Sequence, residues 1–213
     1  QWVHGRAGRG AVAERGRAEL LTGTSVEREA RFLVRDEPTQ RALSRLRELD
    51  GFRFVLGRRE RQQNTYVDTR DLRLRRARSI LKLRRVGKRV EVTFKRSLGV
   101  RQGVAHRLEV TARIRQGQVA GVVAGTLNLP PLRRIRPLIG PRALQVLFTL
   151  HTDRTILVMA DGRARVELDV DRVTFRKGGR VRARRLEVEV ENLTASPAAF
   201  SRAVTALSRR FGG

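Results

Sequence analysis

Ser25 to Val34 read SVEREARFLV. In an extended chain successive side chains point to opposite faces. Glu27, Glu29, Arg31 and Leu33 therefore share one side, and Val26, Arg28, Ala30 and Phe32 the other. Two carboxylates and a guanidinium are gathered on one face of a strand whose other face is mostly apolar. Such a strand needs apolar cover on one side and a polar environment on the other.

The same alternation returns along the chain. Ile80 to Arg85 (ILKLRR) sets Lys82 and Arg84 against Leu81 and Leu83. Val90 to Lys95 (VEVTFK) sets Glu91, Thr93 and Lys95 against Val90, Val92 and Phe94. Arg107 to Ile114 (RLEVTARI) aligns Arg107, Glu109, Thr111 and Arg113. Arg165 to Val170 (RVELDV) aligns Arg165, Glu167 and Asp169, then Asp171, and Leu186 to Glu191 (LEVEVE) aligns Glu187, Glu189 and Glu191. With Gln63–Thr69 and Leu144–Met159, these period-2 segments predict eight strands. Short turn signals at Val86-Gly87-Lys88, Asp161-Gly162 and Lys177-Gly178-Gly179 make the sheet largely antiparallel.

Three helical regions are predicted: Pro38–Leu49 with Asp36 as N-cap, a region within 115–140 broken at Pro130 and Pro131, and Ser196–Phe211. The last carries Phe200, Val204, Leu207 and Phe211 on one stripe. If the apolar strand faces look outward to these helices, the charged faces look at one another. The α+β fold expected is then an eight-stranded antiparallel closed β-barrel, covered by helices and enclosing a charged tunnel. An open sheet with one solvated charged face produces the same alternation. Two details favour the barrel. The charged faces are nearly all Glu, Asp and Arg, and the acids concentrate on the first and last strands, which closure would bring together.

Composition sets the partners. The chain of 213 residues has 47 basic and 21 acidic residues and a formal net charge of +26. Only four of the basic residues are lysines, an arginine bias that coding in a GC-rich genome also produces. The charge balance fits a polyanion partner: phosphates, polyphosphate or nucleic acid. Absence of cysteine excludes disulfides and thiolate metal sites. Residues 1–24 are Gly- and Arg-rich and are read as a disordered segment without a signal-peptide core. No uncharged apolar run is long enough to span a bilayer, so a cytoplasmic protein without membrane contact is expected. The start at Gln1 rather than Met suggests an excised or incomplete piece.

Read in order, these segments resemble the CYTH superfamily, the triphosphate tunnel metalloenzymes, from about Ser25 to Phe211. Glu27-Arg28-Glu29-Ala30-Arg31 is similar to the family's ExExK signature, with Arg31 in place of the lysine. Thr65-Tyr66-Val67-Asp68-Thr69 followed by Asp71-Leu72-Arg73-Leu74 resembles its Tyr-x-Asp-Thr-x-x-Leu stretch. Leu81-Lys82-Leu83-Arg84, Val92-Thr93-Phe94-Lys95 and Arg107-Leu108-Glu109 resemble its basic, Thr-x-Lys and Arg-x-Glu strands. Arg154, Val170-Asp171-Arg172 and Leu186–Glu191 complete the series. Each motif alone is weak; the specificity lies in their order over this length.

The resemblance implies an eight-stranded tunnel domain, residues 25–213, that binds a triphosphate with Mg²⁺ or Mn²⁺. It implies that Lys82, Arg84, Lys95, Arg107 and Arg154 grip phosphates and that Glu27, Glu29, Glu187 and Glu189 hold metal. Glu29 and Arg31 become the catalytic candidates, with Glu109, Asp171 and Glu191 in a second tier. Arginine is not a proton acceptor near neutral pH, so Arg31 cannot repeat any base role of a lysine. Tyr66 and Asp68 are assigned structural roles. The expected activity is metal-dependent hydrolysis of inorganic triphosphate or another short triphosphate-bearing substrate. The alternatives are a class IV-type adenylyl cyclase, against which the scarcity of aromatics counts, and a non-catalytic module binding polyphosphate or RNA, including nonspecific nucleic-acid binding. Some family members carry a downstream helical domain.

Overall fold

The computed structural model of the chain describes residues 23–101, 103–161 and 164–211. The disorder read for residues 1–24 thus falls largely outside the described residues, and Gly23 and Thr24 already belong to the first strand.

Eight long strands run in the order β3 (Phe52–Thr69), β4 (Ser79–Val86), β5 (Arg89–Arg101), β6 (Val104–Ile114), β1 (Gly23–Leu33), β9 (Arg180–Asn192), β8 (Ala164–Lys177) and β7 (Leu144–Asp161). Strand β7 pairs back onto β3, so the sheet closes into a barrel with every pairing antiparallel. A two-residue strand β2 (Glu48–Leu49) is appended to β3 outside this circuit. Closure satisfies the edge N–H and C=O groups that an open sheet would leave bare. The predicted strands are all present. β3 begins at Phe52 rather than Gln63, and a register shift at Gly57 explains why: it interrupts the period-2 pattern between Leu56 and Arg58.

The apolar faces point outward and the charged faces inward. One core packs Leu157, Leu168, Val170, Val188 and Val190 of the barrel wall against Leu43 of α1 (Glu37–Ser44) and Phe200, Ala203 and Leu207 of α5 (Pro197–Phe211). The other packs Leu81, Leu83, Val92, Phe94 and Val110 beneath Leu74 of α2 (Arg73–Arg76), Val122 of α3 (Val119–Val123) and Leu132, Ile135 and Ile139 of α4 (Pro130–Ile139). Each fully buried aliphatic or aromatic side chain contributes about 1.5–3 kcal/mol. This two-sided cover is what permits a polar lumen.

Local signals account for the helices. Asp36 caps α1 by accepting from Thr39 N at 2.8 Å. The helix stops at Ser44, short of the predicted Leu49, although Leu46 and Leu49 still reach the core. Pro130 and Pro131 open α4 in its first turn, where the missing N–H costs nothing, rather than merely breaking a longer helix. The short α2 is organised by Asp68: Oδ1 accepts from Thr69 N and Leu74 N, and Oδ2 from Arg75 N. These three contacts make Asp68 the local organiser of this turn. Among the described residues no helix is long and apolar enough to cross a membrane.

Candidate active site

The barrel lumen holds a cavity of about 990 Å³, followed by a smaller pocket of about 110 Å³. Arg84, Lys95, Arg154 and Glu189 line both, so the two are successive sections of one tunnel. Arg31, Lys82, Arg107, Asp171 and Glu187 line the wider section; Glu27, Glu109 and Glu191 line the narrower. Glu29, on the same face of β1 as Glu27 and Arg31, is almost fully buried and lines neither section, with Arg107 Nη1 donating to its Oε1. Period-2 alternation on seven strands thus brings every sequence-predicted site residue except Glu29 to the lining of one lumen, with Glu29 joined to it through Arg107.

The first and last strands are neighbours. In the β1–β9 register Glu29 faces Glu191, Arg31 faces Glu189 and Leu33 faces Glu187. Arg31 Nη2 donates to Glu189 Oε1 at 2.9 Å and lies 4.0 Å from Glu29 Oε1; its Nη1 lies 3.9 Å from Glu187 Oε1. Burial works against the Arg31 charge, but Glu189 and Glu187 outweigh it and raise its pKa. Burial likewise opposes the Glu189 carboxylate, yet Arg31 and Arg154 hold it well below the usual range.

The cations divide into two kinds. Most are paired with carboxylates. Lys95 Nζ donates to Glu27 Oε1 at 2.7 Å, with Glu109 Oε2 at 2.8 Å. Both Glu27 oxygens accept from that ammonium, so metal binding by Glu27 would require this pair to open. Burial would push Lys95 down, but Glu109 and Glu27 raise it. Glu109 is held at about 2: burial opposes its charge, and Lys95 and Lys82 overcome it. Arg154 donates to Asp169, Asp171 and Glu189 at once.

Lys82 and Arg84 are different. Arg84 Nε donates to the neutral Asn64 Oδ1 at 3.1 Å. Lys82 is buried, lines the wide section and has no hydrogen bond or ion pair with any described residue. Burial, reinforced by Arg84 and Lys95, pushes its pKa well down. A buried cation without a partner is costly unless an anion enters to meet it.

Several lumen residues were not among the sequence-derived candidates. Asp169 is a full partner of Arg154, and Glu60, Gln62 and Asn64 extend the polar wall along β3. Tyr66 lines the wide section too, beyond the structural role read for it. Its ring stacks on Phe148 at 4.7 Å between centroids, and Phe148 meets Phe175 at 5.0 Å. These aromatics come from β3, β7 and β8, and only strand register brings them together; no local segment of the sequence is aromatic-rich.

Among the described residues, no three His, Cys, Asp or Glu side chains stand close enough to hold a metal ion as they lie. Arginines are interposed. The donor chemistry nevertheless suits a hard divalent cation: the ligands available are carboxylate oxygens, and Glu29 Oε2 is buried without a hydrogen-bond partner. Mg²⁺ in particular is commonly held by one or two carboxylates together with substrate phosphates and water, rather than by an all-protein cage.

A closed antiparallel tunnel with inward-facing acids and bases defines the class, and the sequence bears it out. Residues 25–210 match the CYTH domain, and the chain belongs to that family. Among solved structures, an adenylate cyclase candidate from Bacillus halodurans superposes with a TM-score of 0.63 at 22% identity, covering 89% of this chain and 91% of that one. An adenylyl cyclase candidate from Hippeastrum, described as having a dominant triphosphatase activity, superposes with a TM-score of 0.65 at 20% identity over 86% and 87% of the two chains. A chain of the Schizosaccharomyces pombe Mediator head module does so with a TM-score of 0.52 at 12% identity over 88% and 96%. At these identities the likeness is one of fold, and the fold serves more than one purpose. No curated protein sequence matches significantly.

Proposed function

We propose that the tunnel binds a triphosphate group and hydrolyses its terminal phosphoanhydride bond with the help of Mg²⁺ or Mn²⁺. The observation that carries this reading is Lys82, buried and facing the cavity, with no carboxylate at hydrogen-bond or ion-pair distance among the described residues, beside Arg84 on the same strand. Glu109 and Glu189 act on Lys82 only from a distance, and phosphate oxygens would supply the direct counter-charge.

In this reading Lys82 and Arg84 take the phosphate chain first, with Arg107, Lys95 and Arg154 flanking it. Glu29, Glu187 and Glu189, and Glu27 if Lys95 releases it, would hold the metal. Bound there, a divalent cation would withdraw charge from the phosphate oxygens. Glu29 Oε2, without a hydrogen-bond partner among the described residues, would orient a water and accept its proton once substrate draws Arg107 or Arg31 aside. The water oxygen bonds to the terminal phosphorus in line as the bridging P–O bond breaks. The electron pair leaves with the diphosphate, whose growing charge Lys82 and Arg84 neutralise. Arg31 binds phosphate but abstracts no proton. The Hippeastrum relative's described triphosphatase activity is in keeping with this chemistry.

The aromatic wall favours a second reading of the substrate. Tyr66, Phe148 and Phe175 offer ring faces beside the cations, and a cavity of about 990 Å³ is at the upper end of the range that holds drug-sized ligands. A triphosphate bearing an aromatic group would fill it, and a cyclase-type displacement of diphosphate by a ribose hydroxyl belongs here as well.

Incubation with inorganic triphosphate and with ATP, followed by product analysis, tests both readings. Orthophosphate marks hydrolysis and diphosphate with cyclic AMP marks cyclisation. Salt-sensitive binding of polyphosphate or RNA with no product would leave a binding module and overturn the hydrolase.

A further inference from the structure

The carboxylates proposed for the metal share a single cation. Glu29 accepts from Arg107, Glu189 from Arg154, and Glu187 lies 2.9 Å from Arg185 Nε; each has an arginine of its own. Among the described residues, Arg31 is the one cationic side chain with a nitrogen within 4.0 Å of all three. Its planar fork makes this possible: Nη1 reaches toward Glu187, while Nη2 serves Glu189 and approaches Glu29. A lysine ammonium offers one point charge where the guanidinium offers a fork of five donors. Nor can arginine step aside by losing its proton.

We infer that Arg31 is an internal counter-ion that keeps the divalent cation out of the three-carboxylate set until a triphosphate draws it away. The inference rests on the proposed assignment of Glu29, Glu187 and Glu189 to the metal. A divalent ion entering the set meets a fixed positive charge. The Arg31 side chain is 43% exposed and lines the wide section of the tunnel, so it is placed to turn toward an incoming ligand. Phosphate oxygens match a guanidinium fork in two-pronged geometry. When Arg31 moves to the substrate, the carboxylates are released at the moment the substrate's own oxygens arrive as further metal ligands. Metal and triphosphate then bind together, and each is weak alone. By linkage, the factor by which triphosphate improves metal binding equals the factor by which metal improves triphosphate binding.

Mn²⁺ binding measured by titration calorimetry and by electron paramagnetic resonance tests this without turnover. The proteins are the wild type, Arg31→Gln, Arg31→Lys and Arg185→Gln. The added ligand is imidotriphosphate, whose P–N–P bridges resist hydrolysis. Circular dichroism and thermal melts establish that each variant is folded. Without imidotriphosphate, Arg31→Gln should bind Mn²⁺ at least tenfold tighter than the wild type. Arg31→Lys should fall between them, and Arg185→Gln should change affinity less than threefold. With saturating imidotriphosphate the gap between wild type and Arg31→Gln should close to about threefold or less. The inference is overturned if Arg31→Gln gains nothing, if Arg185→Gln gains as much, or if the gap persists with imidotriphosphate. If no protein binds Mn²⁺ even with imidotriphosphate, the metal assignment itself fails and the inference fails with it.

Discussion

Arg31 and Glu189, 158 residues apart in the chain, are paired in register across the β1–β9 seam and joined by a 2.9 Å hydrogen bond. The acid-rich ends of the sequence meet here. Closure of the barrel lies elsewhere, at the β3–β7 pairing, and Lys82 and Arg84 stand on β4 beside it.

Lys82 should trade stability for function. Replacing it with Met keeps volume and removes a buried ammonium that has no hydrogen bond or ion pair among the described residues. Urea unfolding should show Lys82→Met more stable than the wild type by roughly 1–3 kcal/mol. Triphosphate turnover should fall at least a hundredfold. A variant that is both less stable and fully active would show that Lys82 is an ordinary structural residue.

Arg154 should behave in the opposite way. It is nearly fully buried and bonded to Asp169, Asp171 and Glu189. Arg154→Leu strands buried carboxylates, at a cost of about 3–5 kcal/mol. Burial already pushes the Asp169 carboxyl upward against the pull of Arg154. The variant should therefore melt at lower temperature and regain part of the loss in acid, where Asp169 and Asp171 are protonated. Equal loss of stability at all pH values would contradict the electrostatic origin.

Glu109 fixes one acid limb of stability. Its pKa lies at about 2 in the fold against an ordinary 4.5. A carboxylate lowered in the folded state binds fewer protons there than when unfolded. Its contribution is full above pH 4.5 and is lost as pH falls from 4.5 through about 2. Glu109→Gln should lose roughly 3 kcal/mol at neutral pH and show a flatter decline below pH 4.5. Parallel acid limbs in the two proteins would count against the Lys95–Glu109 pair as their source.

The outer half of the fold is also testable. Phe200 of α5 is 3% exposed in the core beneath the helix. Phe200→Ala should cost about 3–5 kcal/mol, read by denaturant midpoint. A cost under 1 kcal/mol would mean that α5 is not the cover the polar lumen depends on.

Much of this was legible because two-faced strands write their environment into every second residue. On β1, β4, β5, β6 and β9 the alternation placed Glu27, Arg31, Lys82, Lys95, Glu109 and Glu189 on the inner face before any coordinates. The first half of β3 was not legible: the bulge at Gly57 breaks the period, and Val55 and Leu56 are exposed there. Helix α2 depends on the Asp68 carboxylate caging three backbone N–H groups, a contact with no periodic signature. The Tyr66–Phe148–Phe175 cluster depends on register among three strands, including the irregularity between Tyr66 and Val67 in the β3–β7 pairing. Counting aromatics along the sequence could not find it. Arg31 was visible as a departure from the signature lysine. That it bridges three carboxylates became visible only once β1 and β9 were side by side.

The most direct test of the tunnel as an active site is orthophosphate release from inorganic triphosphate and from ATP. It should be followed with Mg²⁺, with Mn²⁺ and with chelator, for the wild type and Glu29→Ala. The account requires turnover that appears with metal, vanishes with chelator and falls at least a hundredfold in Glu29→Ala. Turnover that ignores chelator, or survives in Glu29→Ala, or is absent while polyphosphate binds tightly, would contradict it.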